Sequence, residues 1–269
     1  MKGKLLRIGS SWRNLCFCLV SALIVLTIAG LSSETITLSP ELAYTIAFVI
    51  VAASILGCAF ASPKPRVSIA IAAAIVAIAA LGALKFSPGL LSTLGQACVV
   101  TVLLLSAGTL IGALVGYHIE APGHLLIVVV VSSLVDLLSV VHPAGPSAQL
   151  AQDKAMLSLL ALPWPMLGTK DLIPVIGVGD VVFSALYVGA SRAHALSSRR
   201  TLLALIAGFV LTLAALFVFV MPIPALPFFG AAMLVAHPRA RMLPAADRKK
   251  ALIGLCILAA ALAFWLLRH

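Results

Sequence analysis

Charged residues are scarce in this sequence. Asp, Glu, Lys and Arg make up 10% of its 269 residues, whereas the hydrophobic types make up 62%. A soluble globular domain carries roughly a quarter charged residues. The scarcity therefore excludes an ordinary soluble domain and indicates an integral membrane protein with several spans.

Acidic residues are the rarer charged type, since eight stand against eighteen Lys and Arg, which gives a net charge of +10. The basic residues form short clusters at the ends of apolar runs rather than one polar face. Such clusters are typical of loops on the cytoplasmic side of a membrane. We therefore expect membrane lipid and no nucleic acid as a partner, and attraction of residues 239–250 to anionic lipid is a second interpretation.

The five cysteines include no CxxC pair and no spacing typical of metal ligands. Each lies inside an apolar run, where a cysteine acts as a small packing residue rather than as half of a disulfide. His118, Glu120 and His124 form an H-x-E-x3-H cluster, but the spacing does not place both histidines on one helical face. The sequence predicts neither a metal site nor a cofactor.

The apolar residues fall into nine segments, and a helix needs about 20 residues to cross a bilayer. Because backbone polar groups in lipid must be satisfied internally, we predict helices throughout. The fold class is therefore all-α, a polytopic membrane protein of about nine transmembrane helices. The segments are about 15–32, 42–62, 67–85, 93–117, 123–142, 171–191, 202–220, 222–236 and 251–267.

The distribution of Lys and Arg predicts an orientation. If every segment crosses the membrane, fourteen of the eighteen cations fall on one side, in the N-terminus and the 63–66, 192–200 and 237–250 loops. The positive-inside rule predicts that this side, with the N-terminus, faces the cytoplasm of a cell and that the 143–170 connection lies outside the cell (inner) membrane. The first segment also resembles a signal peptide, but residues 30–33 form a poor cleavage site.

Two of the eight acidic residues, Asp136 and Asp180, lie inside the apolar segments. A charge at bilayer depth costs at least a few kcal/mol and by default indicates a functional site. No Lys or Arg lies within a span to neutralise them. We therefore expect each carboxylate to interact with the other carboxylate and with water. Counting from the predicted external helix ends, Asp136 lies about 9 Å deep and Asp180 about 14 Å deep.

Each aspartate also belongs to a stripe of small or polar residues at helical spacing, which predicts a hydrated interior. Two carboxylates within hydrogen-bond reach share one proton and can act as a general base and a general acid on a peptide bond. Gly177 and Gly179 allow close backbone approach and a loosened helix before Asp180. The stripes are Ser132 and Ser139 with Asp136, and Gly177, Ser184 and Tyr187 with Asp180.

Three prolines stand within six residues at positions 222–227 and should break or kink any helix. Irregular backbone at membrane depth is tolerated only where it is buried in protein or lines a cavity. We therefore expect Pro224, Ala225 and Leu226 to border the site and to bind substrate. The alternative is a kinked helix with no role in function.

These motifs together resemble the GxGD intramembrane aspartyl proteases, the presenilin and signal peptide peptidase superfamily. The motif that gives the family its name is matched by Gly177, Val178, Gly179 and Asp180, and residues 181–189 resemble its continuation in presenilin. The Tyr-Asp motif of the first aspartate is matched by Val135-Asp136, and the PAL motif by residues 224–226. The resemblance covers roughly residues 123–236.

The resemblance implies an aspartic endopeptidase that cleaves within transmembrane segments or signal peptides, with Asp136 and Asp180 as catalytic residues. Residues 1–122 would then be scaffold helices, residues 123–236 the catalytic helices, and residues 237–269 a basic cytoplasmic loop and a last transmembrane helix. The chain departs from the family in Val135, which replaces the usual tyrosine, and in having four rather than five spans before Asp136. The sequence predicts no particular oligomeric state.

Three alternatives use the same two aspartates. A prepilin-peptidase-like GxGD protease usually has lysine after the motif, where this chain has Val181. A proton-coupled transporter would use Asp136 and Asp180 as a relay. A protease-like fold acting only as a binding scaffold is the third.

Overall fold

The computed structural model describes residues 11–33, 35–36, 38–86, 91–142, 145–169, 171–219, 221 and 223–268. Within these residues the chain is almost entirely helical, so the predicted all-α class is confirmed. Pro222 of the proline-rich stretch and the cations Lys2, Lys4 and Arg7 lie outside the described residues. The elements in chain order are α1 (Trp12–Ser32), α2 (Pro40–Ala61), α3 (Val67–Phe86), α4 (Thr93–Tyr117), α5 (His124–Val141), α6 (Pro146–Gln152), α7 (Lys154–Leu160), β1 (Ala161–Pro165), β2 (Leu172–Gly177), α8 (Val178–Ala193), α9 (Ser198–Phe219), α10 (Leu226–Ala236) and α11 (Ala245–Arg268), with a 3-10 turn at Pro238–Arg241.

Six helices of the described chain are long and apolar enough to cross a membrane. They are α1, α2, α3, α4, α9 and the span His124–Gln149, which begins with α5. This confirms an integral membrane protein. The other three predicted segments correspond to α8, α10 and α11, with 16, 11 and 24 residues. They do not belong to the six, so the count of nine stays a prediction.

Serine caps explain where three of the long helices begin. The side chains of Ser11, Ser39 and Ser92 accept hydrogen bonds from the backbone N–H three residues further on, at 3.2, 3.4 and 3.2 Å. Such a cap satisfies an otherwise unpaired N–H group and is worth about 1 kcal/mol. The boundaries of α1, α2 and α4 are therefore encoded locally, by one polar residue before each apolar run.

The segment predicted as one helix over residues 171–191 is not continuous. Leu172–Gly177 is a strand, and the helix begins only at Val178. Pro174 has no N–H to donate and would clash within a helix, while three β-branched neighbours favour the strand. β2 pairs antiparallel with β1, with Leu162 opposite Ile176. The 143–170 connection thus contains α6, α7 and β1.

The chain forms two compact units. The first comprises Met1–His118 with Asp153–Gly189, and the second comprises Ile119–Gln152 with Ala190–His269. The residues from 123 to 236 that carry the motifs are divided between them. Each unit therefore holds part of the predicted catalytic set.

The centre of the first unit is formed by α4 and β1, and the helices α1 and α2 pack against both of them. β2 pairs with β1. Leu26, Ile55, Leu105 and Leu162 are each at most 1% exposed and form the centre of this core. All five residues of β1 are buried. β2, the strand that precedes Asp180, is paired with this buried strand and is thereby fixed to the core of the unit.

The second unit is built around the short helix α10, which packs against α5 and α9. Phe229 is fully buried and meets Phe209 of α9 edge to face, with ring centroids 4.6 Å apart. Gly208 and Gly230 allow this close approach, because a Cβ at either position would collide with Phe229 or Val129. The packing fixes the start of α10 beside α5.

A buried polar cluster joins three segments of the second unit. The Thr201 hydroxyl lies 2.8 Å from Ser191 Oγ and 3.0 Å from His237 Nε2. All three side chains are at most 4% exposed. Burial and the nearby charge of Arg200 lower the pKa of His237 from its ordinary value of 6.5. The cluster fixes the ends of α8, α9 and α10 to one another.

Candidate active site

The GxGD residues occupy the junction between a strand and a helix in the first unit. β2 ends at Gly177, α8 begins at Val178, and Asp180 lies in the first turn of α8. N–H groups in a first helical turn lack intrahelical partners, and the helix dipole favours negative charge there. The predicted loosening of the chain before Asp180 is therefore a change from strand to helix.

Neither glycine of the motif is required by local packing. A Cβ at Gly179 would meet no atom within 4 Å, and one at Gly177 would meet only the Asp180 carboxylate, at 3.9 Å. Neither residue has a positive φ angle, so a side chain would not be strained there either. The two glycines leave room beside Asp180 that another backbone could occupy.

Glycines of α4 and α8 set the position of the helix that carries Asp180. A Cβ at Gly108 would lie 3.0 Å from Val181, and a Cβ at Gly112 would collide with the carbonyl of Val182. Gly189 approaches the carbonyl of Ala113 in the same way. Small residues that let helix backbones approach closely are typical of membrane helix packing. The first turns of α8 are thus tightly packed on α4.

The stripe that follows Asp180 is buried rather than open to water. Ser184 and Tyr187 are both 0% exposed, so the expected hydrated interior is wrong for these two side chains. Ser184 Oγ and Thr109 Oγ1 are completely buried and have no hydrogen-bond partner among the described residues. An unsatisfied buried hydroxyl costs about 1–3 kcal/mol. The Ser184 hydroxyl, one turn after Asp180, is therefore enclosed in the packing of α8.

Asp136 lies in the second unit, where its carboxylate contacts the start of α10. Its Oδ2 accepts a hydrogen bond of 3.0 Å from the backbone N–H of Leu226. The N-cap residue Ala225 supplies no side-chain cap of its own. Asp136 therefore caps α10 from another helix, as an anion bound at a helix N-terminus.

The PAL residues form the beginning of α10. Pro224 and Leu226 are buried and Ala225 is half-buried, while Pro227 stands at a helical position where proline is favoured. The structure thus brings Asp136 and the PAL motif together, as the sequence predicts. Since the Leu226 side chain is buried, the motif presents mainly its backbone at this site.

The polar neighbours of Asp136 on α5 are satisfied locally. The Ser132 hydroxyl donates to the carbonyl of Val129 at 3.3 Å, and Ser139 Oγ lies 2.7 Å from Ser147 Oγ at the end of the helix. Ser132 is also buried. Ser139 thus contacts the following helix α6, whereas Asp136 contacts α10, which lies 90 residues further along the chain.

The H-x-E-x3-H cluster does not form a metal site among the residues described. His118 Nδ1 lies 2.8 Å from the carbonyl of Leu114 in the first unit. His124 Nε2, in the second unit, lies 3.1 Å from Asp247 Oδ2. The described residues contain no group of three His, Cys, Asp or Glu side chains that could hold a metal ion.

Two features of the site were missed by sequence reasoning. The sequence predicts helix before Asp180, whereas Leu172–Gly177 is a strand, and Pro174 is the signal against a helix there. The hydrogen bond between Asp136 and Leu226 joins residues 90 positions apart and has no local signal.

No family model, no curated protein and no solved structure matches the chain.

Proposed function

We propose that the protein is an intramembrane aspartyl protease that hydrolyses peptide bonds within membrane segments, with Asp136 and Asp180 as the catalytic pair. The observation that carries the proposal is that each aspartate places its carboxylate at, or in the first turn of, a helix that begins after non-helical chain. Asp180 is in the first turn of α8, and Asp136 caps α10. At such positions the N–H groups and the helix dipole offset part of the cost of a carboxylate at bilayer depth.

The proposed reaction uses one shared proton. The ionised aspartate takes a proton from water while the water oxygen bonds to the scissile carbonyl carbon, and the protonated aspartate donates to the carbonyl oxygen. The tetrahedral intermediate then loses its C–N bond as the nitrogen accepts a proton from the pair. As the C–N bond breaks, one hydroxyl of the intermediate returns its proton to the pair and becomes the carbonyl oxygen of the new carboxyl group. The products are that carboxyl group and a new amine, and the pair again holds a single proton.

Helix lengths support a common depth for the two carboxylates. On α5, Asp136 lies about 18 Å from the His124 end, and on α8, Asp180 lies about 20 Å from the Ala193 end. Both of these ends belong to the predicted cytoplasmic side. In a hydrocarbon core of about 30 Å, both carboxylates would lie beyond the midplane and short of the far surface.

The strand before Asp180 favours proteolysis over ion transport. A helical peptide bond is shielded by its own turns, so a substrate must be extended where it is cut. β2 runs directly into α8, and it pairs with β1 along one edge. Its other edge has no strand partner among the described residues, so we propose that an extended substrate peptide pairs there by strand addition.

We also propose that the N-terminus and the basic loops face the cytoplasm, as fourteen of eighteen cations indicate. The helix that carries Asp136 would then run outward and the helix that carries Asp180 would return. A groove with this orientation should accept membrane segments with a cytoplasmic N-terminus, such as signal peptides. The chain would act in a cell membrane.

The test is cleavage of a transmembrane reporter peptide by the purified chain in liposomes. Asp136→Asn and Asp180→Asn should each abolish cleavage, since neither carboxylate can replace the other. Glu41→Gln is the matched control, because Glu41 is an exposed carboxylate in the first turn of α2. Cleavage by either asparagine variant at the wild-type rate would exclude the pair, and proton-coupled uptake without cleavage would indicate the transporter.

The glycines of the motif give a second test. Gly179→Ala should leave the chain folded, because no atom lies within 4 Å of the added carbon. It should nevertheless lower the rate of cleavage at least tenfold if a substrate backbone lies there. An unchanged rate would show that the open side of Gly179 is not used.

A further inference from the structure

A groove of about 480 Å³ lies between α5 and α11 in the second unit. This volume lies in the range of about 300–1,000 Å³ typical of ligand sites. The groove is separate from Asp136, which contacts α10 instead. Its walls are mainly apolar, and its polar residues stand at one end. The lining residues are His124, Ile127, Val131, Asp247, Lys250, Ala251, Gly254, Leu255 and Leu258.

The apolar walls come from one face of each helix. Lys250, Gly254 and Leu258 follow one another at intervals of four residues on α11, and Ile127 and Val131 do the same on α5. From Lys250 to Leu258 the groove runs for about 12 Å along α11. One leaflet of a bilayer has a hydrocarbon thickness of about 15 Å, so the groove has the length of an acyl chain within that leaflet.

The polar end of the groove carries positive charge. His124 Nε2 and Asp247 Oδ2 lie 3.1 Å apart and join the start of α5 to the first turn of α11. Lys250 stands one turn further on and is exposed. Arg248 and Lys249, its neighbours on α11, are also exposed but do not line the groove. With the Asp247 carboxylate beside His124, the Lys250 ammonium gives the groove an end that attracts an anionic group.

The groove is also open at its middle. A Cβ at Gly254 would meet no atom within 4 Å, so this glycine leaves space rather than allowing two helices to touch. An apolar channel with a cationic end matches a ligand that has an anionic head and a hydrocarbon tail. Basic sites between membrane helices on the cytoplasmic side bind the headgroups of acidic lipids in this way.

We propose that this groove binds one molecule of an anionic phospholipid. The phosphate contacts Lys250 at the end where His124 and Asp247 are paired, and one acyl chain lies along Ile127, Val131 and Gly254. A zwitterionic phospholipid with the same chains binds more weakly, because its headgroup carries no net negative charge. The site does not depend on the protease activity proposed above.

The experiment is native mass spectrometry of the purified chain in detergent, titrated with phosphatidylglycerol and with phosphatidylcholine of identical acyl chains. The wild-type chain should retain one phosphatidylglycerol molecule in preference to phosphatidylcholine. Lys250→Gln should weaken phosphatidylglycerol binding about fivefold, since one cation near an anionic lipid is worth about 1 kcal/mol. Lys249→Gln is the matched control, because Lys249 does not line the groove, and it should leave the preference unchanged.

A second pair of variants tests the apolar part of the groove. Gly254→Phe should abolish retention of the lipid by filling the open space, and Ile127→Trp should do the same from the opposite wall. Thermal unfolding shows whether each variant is folded. If Gly254→Phe does not fold, lipid retention by Ile127→Trp is the test. Equal retention of the two lipids by the wild-type chain, or undiminished phosphatidylglycerol binding by a folded filled variant, would overturn the proposal.

Discussion

The contact between Asp136 and α10 allows the chemical role of the carboxylate to be separated from its structural role. Asp136→Ala removes the acceptor of the Leu226 N–H, whereas Asp136→Asn keeps a side-chain oxygen in the same place. Replacing a capping side chain by alanine costs about 1 kcal/mol, with a range of about 0.5–2, while Asn and Asp cap almost equally well. Proton transfer by a positioned carboxylate is worth about 10²–10⁴ in rate, and asparagine cannot perform it. We therefore expect Asp136→Ala to lose both stability and cleavage, and Asp136→Asn to lose cleavage alone.

Two measurements on the same preparations check this expectation. Thermal unfolding in detergent should give a lower midpoint for Asp136→Ala and an almost unchanged one for Asp136→Asn. Ser132→Ala is a suitable control on the same helix, because the Ser132 hydroxyl bonds only to its own turn at Val129. If Asp136→Ala unfolded at the same temperature as wild type, the capping contact would make no contribution to stability. If Asp136→Asn still cleaved the reporter, the assignment of Asp136 as acid and base would be refuted.

Three further predictions concern packing, pH and orientation. Gly112→Leu should destabilise the chain by about 1–3 kcal/mol, because the added side chain would overpack against α8. Gly82→Leu is the control and should not destabilise it, since a Cβ at Gly82 would meet no atom within 4 Å. Equal unfolding midpoints for the two variants would contradict this prediction. Because the pKa of His237 is lowered in the folded chain, the unfolded chain takes up its proton first, so the free energy of unfolding should fall as the pH drops below 6.5. His237→Gln should remove that part of the pH dependence, and an unchanged profile would exclude His237 as its source. In a variant without native cysteines, expressed in intact cells, Gln149→Cys should react with a membrane-impermeant thiol reagent and Ser197→Cys should not. The reverse labelling pattern would contradict the proposed orientation.

The long helices could be predicted from the sequence because their signals are local. The segment predicted at about 42–62 is found as Pro40–Ala61, and that predicted at about 93–117 as Thr93–Tyr117. In each case an apolar run of sufficient length follows a serine that caps the helix. Both signals lie within a few residues of the boundary that they determine.

The strand before Asp180 could not be predicted from hydropathy. In a membrane segment both helices and buried strands are continuously apolar, so the periodicity that separates them in soluble proteins is absent. Only Pro174 and its β-branched neighbours distinguished Leu172–Gly177 from the helix that follows. The sequence thus predicted a helix where the chain before Asp180 is a strand.

The partner of Asp136 could not be predicted for a different reason. The resemblance to a family placed Asp136 and Pro224, Ala225 and Leu226 in one site, yet it did not indicate that the carboxylate caps α10. That contact depends on how α10 packs between α5 and α9, through Phe229 and Gly208. Such packing is a property of the folded chain and has no signature in a single segment.

The central claim is that the carboxylates of Asp136 and Asp180 act on one peptide bond, and it is tested most directly by their proximity in the membrane. In a variant whose five native cysteines are replaced by alanine, Asp136→Cys and Asp180→Cys are introduced together and treated in membranes with a short bifunctional thiol reagent. Val130→Cys with Asp180→Cys is the control pair, because Val130 is exposed on another face of α5. The proposed pair predicts an intramolecular cross-link between positions 136 and 180 and none between 130 and 180. Cross-linking of the control pair alone, or of neither pair, would contradict a shared catalytic site.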